Sequence, residues 1–251
     1  MSDSGEKIYL AKFLSVNGAA SRRRAAELVR AGRVAVNGVT VDNPADPVPP
    51  AAEVRLDGRV VAPLGRRHYV MLNKPRGYVC TNEDIHAARK ALDLIALPGV
   101  RLVSAGRLDK ESDGLLLFSD DGDFIYRVAH PKFEILKVYE VATGRPLPDR
   151  ALRRLRGGIV DAGEFLQPHS LEPVGPAVYR VVLNEGRKRE IRRLIAAAGG
   201  KVVRLTRLSV GHLTLGGLPA GCWRELSSRE VEEALRPGLP ELGRSDRVAE
   251  S

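Results

Sequence analysis

Four apolar residues in a row, Leu115 to Phe118, stand inside SAGRLDKESDGLLLFSDDGDF, residues 104–124, with acids and glycines on both sides. An uninterrupted apolar block this short, closed by the turn formers Asp120, Asp121 and Gly122, reads as a buried strand. Whatever else the chain does, it has to pack a core around this segment. Just ahead of it lies Gly106-Arg107-Leu108-Asp109. Gly106 permits an unusual backbone conformation or a close approach by another segment. A loop fastened to a buried strand is a rigid mount for a reactive side chain. Asp109 is therefore the first candidate functional residue.

The 251 residues suit two unequal cores better than one. Residues 8–61 read as a small module. IYLAKFLSVNG places Ile8, Phe13 and Leu14 near helical spacing, with Gly18 as the stop. Ser21 sits at an N-cap position ahead of RRRAAELVRAG, and Gly32 ends that second helix. VAVNGVTV then sets alternating valines on either side of Asn37-Gly38, a strong hairpin signal. The Pro/Ala-rich DNPADPVPPAAEV has the composition of a linker, but VRLDGRVV after it can return the chain to the module's sheet. The domain boundary is therefore expected in APLGRRH, residues 62–68.

From Tyr69 onward strand patterns dominate: YVMLNKPRGYV, RLVSAGRL, GLLLFSDDG, KVYEVAT, VYRVVLNEG, KVVRLTRLSVGHLTL and CWREL. Helices are expected at DRALRRL, KREIRRLIAAAG and SREVEEAL, the last with a capping box from Ser227 and Glu230. Helices do not alternate regularly with these strands, so the expected class is α+β, a small helix-helix-hairpin module followed by a mainly antiparallel sheet over residues 69–236. The tail, 237–251, has little to bury and is expected to be disordered.

The formal charge of +9 favours a polyanionic partner, because cations that neutralise phosphates release counterions. No apolar run approaches the roughly 18–20 residues of a membrane span, and the first seven residues lack the pattern of a secretory signal. A cytoplasmic protein without membrane association is expected. Two cysteines and five histidines form neither a disulfide framework nor a metal-ligand spacing, so no metal or cofactor is expected. Nothing in the sequence calls for an obligate partner subunit, and a monomer is expected.

Basic residues concentrate twice. Lys7, Lys12, Arg22, Arg23, Arg24, Arg30 and Arg33 stand against the single acid Glu27 in the first module. Its SRRRAAELVRAGRVAVNG resembles the S4 RNA-binding module, in which the second helix and hairpin contact structured RNA; the resemblance covers residues 8–56. The second concentration, Arg187, Lys188, Arg189, Arg192, Arg193, Lys201, Arg204 and Arg207 against Glu185 and Glu190, is expected to track an RNA backbone.

A carboxylate such as Asp109 can act as general base, electrostatic stabiliser or nucleophile. A two-carboxylate glycosidase using Asp109 with Glu111 or Asp113 is disfavoured, since such close neighbours do not face each other across a sugar. Asp113 is read instead as a turn residue before Gly114. GRLDKESDGLLLFSDDG resembles the pseudouridine synthases, specifically the branch that modifies ribosomal RNA and carries an S4 module. In that family the aspartate of G-R-L-D is essential, which the resemblance transfers to Asp109. EILKVYEV matches the motif whose tyrosine packs against the target base, pointing to Tyr139. EGRKREIRRL matches the motif that supplies an apolar pocket residue and an arginine paired with the aspartate, pointing to Ile191 and Arg192. LNKPRGY, residues 72–78, matches the family's first strand, with Asn73, Lys74, Pro75 and Gly77 in place. The match runs from about residue 8 to 236.

The chain departs from the family pattern at Glu111-Ser112-Asp113, where threonine or a neighbouring polar residue is common, and at Lys188 and Glu190, where asparagine and glutamine are common. Judged alone, Tyr139 and Ile191 read as core and Arg192 as a phosphate contact; the ordered conjunction of motifs carries the catalytic reading. It implies isomerisation of a uridine flipped out of ribosomal RNA or a pre-ribosomal particle, with the large-subunit RNA slightly favoured. Arg192 would keep Asp109 ionised in a water-excluding pocket. Arg107 would fill the vacated stack or hold a phosphate, and Leu108, Ile191, Asn73 and Lys74 would contact the substrate. Arg22, Arg23, Arg24, Arg30, Arg33, Arg187, Lys188 and Arg189 would bind RNA. The competing reading is a catalytically silent RNA-binding or ribosome-assembly protein on the same scaffold.

Overall fold

The computed structural model describes residues 8–62, 65–81 and 89–240. It divides into two compact units, Met1–Arg67 and His68–Ser251. Residues 241–251 of the expected tail lie outside the described residues.

In the first unit, α1 (Leu10–Val16) buries Leu10, Ala11 and Leu14, and it starts two residues later than the position of Ile8 suggested. Ser21 caps α2 (Arg22–Arg30), its hydroxyl accepting the Arg24 N–H at 3.3 Å. Ala25, Leu28 and Val29 form the inward stripe of α2, while its arginines face outward. β1 (Val34–Val36) and β2 (Val39–Val41) pair around Asn37-Gly38, both at positive φ as a tight hairpin turn requires. β3 (Val54–Leu56) returns antiparallel to β1 and continues into β4 (Arg59–Val60), giving the order β2-β1-β3-β4. The proline-rich stretch thus lies within this module, and Pro47 bridges to Tyr9.

The second unit contains β5 (Tyr69–Lys74), β6 (Val103–Ser104), β7 (Asp113–Ser119), α3 (Gly122–Ala129), β8 (Lys137–Thr143) and α4 (Asp149–Arg156). There follow the hairpin β9 (Ile159–Asp161) and β10 (Glu164–Leu166), then β11 (Ser170–Gly175), β12 (Val178–Leu183) and α5 (Glu190–Ala197). β13 (Val202–Val210), β14 (Leu213–Thr214), β15 (Trp223–Glu225) and α6 (Ser228–Leu235) complete it. The main sheet has the order β11-β12-β8-β13-β7-β5-β15. β13 and β7 run parallel, and the other neighbours are antiparallel.

All seven residues of β7 are buried. Leu116 and Phe118 join one apolar cluster with Val141, Val181, Ile191 and Leu194. Leu115 and Leu117 join the opposite cluster with Met71, Phe124, Val210 and Ala234. The apolar block of the sequence is therefore a strand with a core on each face, and each such leucine contributes about 1.5–3 kcal/mol of burial.

Two local expectations change. Asp120-Asp121-Gly122 ends β7 as expected but also starts α3, a helix the strand pattern concealed: the Asp121 carboxylate accepts the N–H groups of Asp123 and Phe124 at 2.9 and 3.3 Å. Asp113 is the buried first residue of β7 rather than a turn residue, accepting from the Thr206 hydroxyl and, at 3.3 Å, from Arg204. Among the described residues no helix is long and apolar enough to cross a membrane.

Candidate active site

Asp109 lies in the loop between β6 and β7, and the rest of the loop is held from behind. Lys74, at the end of β5, is fully buried, and its ammonium donates to the carbonyls of Pro75, Asp109 and Ser112 at 3.1, 3.2 and 2.7 Å. Burial pushes its pKa below the ordinary lysine value. Three carbonyls converging on one cation lock the turn, and two backbone bonds reinforce it: Gly77 N–H to the Lys110 carbonyl at 2.8 Å and Ser112 N–H to the Asp109 carbonyl at 3.0 Å. Gly106, at φ +83°, makes the bend that starts the loop; a Cβ there would meet open space, so conformation rather than crowding requires glycine.

Asp109 faces a cavity of about 600 Å³ lined by Gly106, Arg107 and Leu108 from its own loop, by Lys137 and Tyr139 from β8, by Arg207 and Val210 from β13, and by the segment 185–189 ahead of α5. From outside that lining, Arg192 of α5 places its Nε 3.7 Å from Asp109 Oδ2, an ion pair longer than a hydrogen bond. The same guanidinium donates to the Glu111 carbonyl at 3.0 Å and the Ser112 hydroxyl at 3.3 Å, tying α5 to the loop. Burial lowers the pKa of Arg192, and Arg189 adds to that while Asp109 opposes it. Among the described residues its Nε has no hydrogen-bond partner. Asp109 keeps 34% of its side chain exposed, so the loop does not itself form the sealed, water-excluding pocket expected.

The motifs distant in sequence thus meet: Asp109, Tyr139 and Arg192 converge, and Arg107, Leu108, Arg187, Lys188 and Arg189 share the cavity. Two expected substrate contacts have other jobs. Lys74 is the buried fastener of the loop, and Asn73 donates to the Leu218 carbonyl at 2.7 Å, holding β5 to the segment before β15. Ile191 is buried in the core beside Leu194 and Ile195 and does not line the cavity.

The basic concentrations also divide. Arg22, Arg23 and Arg30 are exposed on α2, but Arg24 pairs with Glu27 at 2.8 Å. Arg33 holds Asp57 through two bonds of 2.7 and 2.5 Å, pinning the β3–β4 turn to the start of β1. In the second concentration Arg193 is taken up by Asp161 and Glu164 of the β9–β10 hairpin, Arg204 by Asp113, and Arg207 is buried. Arg187 pairs with Glu185 at 2.9 Å, leaving Lys188 and Arg189 as the exposed cations of that segment. Lys137, not among the residues the motifs single out, also lines the cavity; it stands two residues before Tyr139, on the same strand face.

Residues 68–197 match the sequence model of the RNA pseudouridylate synthase family, and residues 10–54 match the S4 domain. An uncharacterized RNA pseudouridine synthase of Aquifex aeolicus is 38% identical over 230 residues, covering 90% of this chain and 96% of that protein. A ribosomal small subunit pseudouridine synthase A of Yersinia pestis is 34% identical, with 92% and 99% covered, and that of Escherichia coli K12 is 33% identical, with 90% and 99% covered. Among solved structures, a crystal structure of a pseudouridylate synthase aligns with a TM-score of 0.66 at 31% identity, over 90% of this chain and 99% of its own. The ordered motifs, the fold and these likenesses agree: the chain is an RNA-binding isomerase that belongs to the RNA pseudouridylate synthase family, with an S4 domain ahead of the catalytic one.

Proposed function

We propose that the enzyme isomerises one uridine of small-subunit ribosomal RNA, with the target nucleotide flipped into the cavity beside Asp109. The observation that carries this reading is the placement of Asp109 on the cavity wall, 3.7 Å from Arg192 and facing the same space as Tyr139. A cavity of about 600 Å³ is of the size that takes a small ligand such as a single nucleotide. The slight lean of the motifs toward large-subunit RNA gives way to the names of the relatives, which specify the small subunit.

Asp109 acts on the ribose, either as nucleophile or by removing a sugar proton, with the Arg192 guanidinium 3.7 Å away. Extruding the base costs a few kcal/mol of stacking. Tyr139, lining the cavity, restores about 1–3 kcal/mol by contact with the uracil ring. Arg107, exposed beside the loop, holds the flanking phosphate or fills the gap in the stack. Arg22, Arg23 and Arg30 of the S4 domain, with Lys188 and Arg189, supply the salt-dependent grip on the RNA backbone. The enzyme acts as a monomer, without a cofactor.

The test is tritium release from ribosomal RNA labelled at C5 of uridine, taken from cells lacking the gene. Wild type releases tritium from the small-subunit RNA, and Asp109→Asn lowers the rate by at least about 10³-fold. Equal release by both would end the catalytic assignment, and release only from large-subunit RNA would overturn the substrate.

A further inference from the structure

Resting on the reading of this cavity as the nucleotide site, we propose that Lys137 and Arg207 form a two-cation subsite that holds the uracil ring by its carbonyl oxygens and stabilises the negative charge it carries while detached. Both side chains line the same cavity as Asp109 and Tyr139, and both are more than nine-tenths buried, at 8% and 4% exposure. Among the described residues neither has an ion-pair partner. Arg207 donates Nε to the Leu115 carbonyl at 2.7 Å, but its Nη2 is buried and, among the described residues, makes no hydrogen bond.

The fold places this pair deliberately. Arg207 stands directly opposite Tyr139 in the antiparallel register of β8 and β13, and Lys137 is two residues from Tyr139 on the same strand face. Arg207 is further fixed by the parallel contact with β7. A Cβ on Gly114 would lie 2.4 Å from the Arg207 carbonyl oxygen, so glycine at that position is what lets β13 come this close. Two like charges buried side by side, one with an unused donor, are unfavourable in a fold that could have filled the space with apolar groups. The arrangement makes sense if an electron-rich ligand completes it.

The isomerisation supplies that ligand. When the C1′–N1 bond breaks, its electron pair leaves with the base, and the detached uracil carries one negative charge spread over N1, O2 and O4. The charge is consumed when C5 bonds to C1′, the C5 proton leaves and N1 takes up a proton. A base packed on Tyr139 has its edge within reach of the cations beside that ring, Lys137 two residues away on the same strand and Arg207 directly opposite, whereas Asp109 attends to the sugar. Preorganised donors aimed at developing charge in a water-poor site are the most effective kind of stabilisation.

The experiment compares wild type, Lys137→Met, Lys137→Arg and Asp109→Asn as full-length proteins, on ribosomal RNA tritiated at C5. The readings are the single-turnover rate at saturating RNA, the Kd for the same RNA and the melting temperature. Lys137→Met is expected to lose about 10²–10³-fold in rate. Its Kd should stay within about threefold and its melting temperature should be equal or higher, because an unpaired buried charge has been removed. Lys137→Arg is expected to restore most of the rate. An unchanged rate in Lys137→Met beside an inactive Asp109→Asn would overturn the subsite alone; an active Asp109→Asn would overturn the reading beneath it. A loss confined to Kd would mean the cations hold a backbone phosphate, and a fall in melting temperature with no rescue by arginine would mean a structural role. Either result refutes the proposal.

Discussion

The arginines of α2 and the cations around the cavity beside Asp109 are the same chemistry placed in opposite surroundings. Arg22, Arg23 and Arg30 stand exposed on a helix whose other face is packed, so their charge is fully hydrated and costs the fold almost nothing. Arg192, Lys137 and Arg207 are withdrawn from water, and each retains either a depressed pKa or an unused donor. A hydrated cation attracts a polyanion and is screened by salt. A dehydrated one is held at one place and is strong there because solvent does not compete with it. On the proposed function, one kind of charge serves affinity and the other serves chemistry, and exchanging them should fail in opposite directions.

The sharpest test of this contrast is Arg192→Met. It removes the cation 3.7 Å from Asp109 and two ties to the loop, and the saturating rate should fall by about 10²–10³-fold while RNA affinity is little changed. If the loss lay in affinity instead, Arg192 would belong with the surface arginines.

Next in size is a pH effect on stability. Burial, reinforced by repulsion from Arg207, lowers the Lys137 pKa to about 8 from an ordinary 10.5. Between those values the unfolded chain binds more protons at this residue than the folded one, so stability attributable to Lys137 rises with pH across that interval. The cost of the charge is fully present below pH 8. Denaturation of wild type and Lys137→Met at pH 7 and pH 10 should therefore show the variant's advantage shrinking at the higher pH, by up to about 3 kcal/mol. An advantage independent of pH would mean Lys137 is neutral or solvated throughout.

The smallest effect is expected on the surface. Replacing Arg22 and Arg23 together by glutamine should weaken RNA binding about tenfold and reduce the salt slope by roughly one to two, with the saturating rate intact. Adding Arg33→Gln should cost stability as well, because Arg33 is the residue of that group that also pins Asp57.

These differences also separate what was readable along the chain from what was not. The capped start of α2, the Asn37-Gly38 hairpin and the two-sided burial of Leu115 to Phe118 depend on neighbours a few residues away, and local sterics and periodicity dictate them. α3 escaped because its N-cap, Asp121, is also an ordinary end to a strand, and the packing that holds the helix, Phe124 against the cluster of Leu115 and Leu117, is tertiary. Asp109, Tyr139 and Arg192 were legible because their motifs recur in a family; nothing in the spacing of 30 and 53 residues between them brings them together.

The sequence by itself determined the segments, their order, the two-part organisation and the candidate acid. Only the tertiary structure decided which cations meet solvent. Asp113 finds Arg204 across 91 residues, Lys74 reaches the Asp109 carbonyl across 35, and Arg192 reaches the loop of Asp109 across about 80. The physical reason is range: capping and turn formation act over one helical turn, whereas desolvation and ion pairing depend on which surfaces the packed sheet presses together.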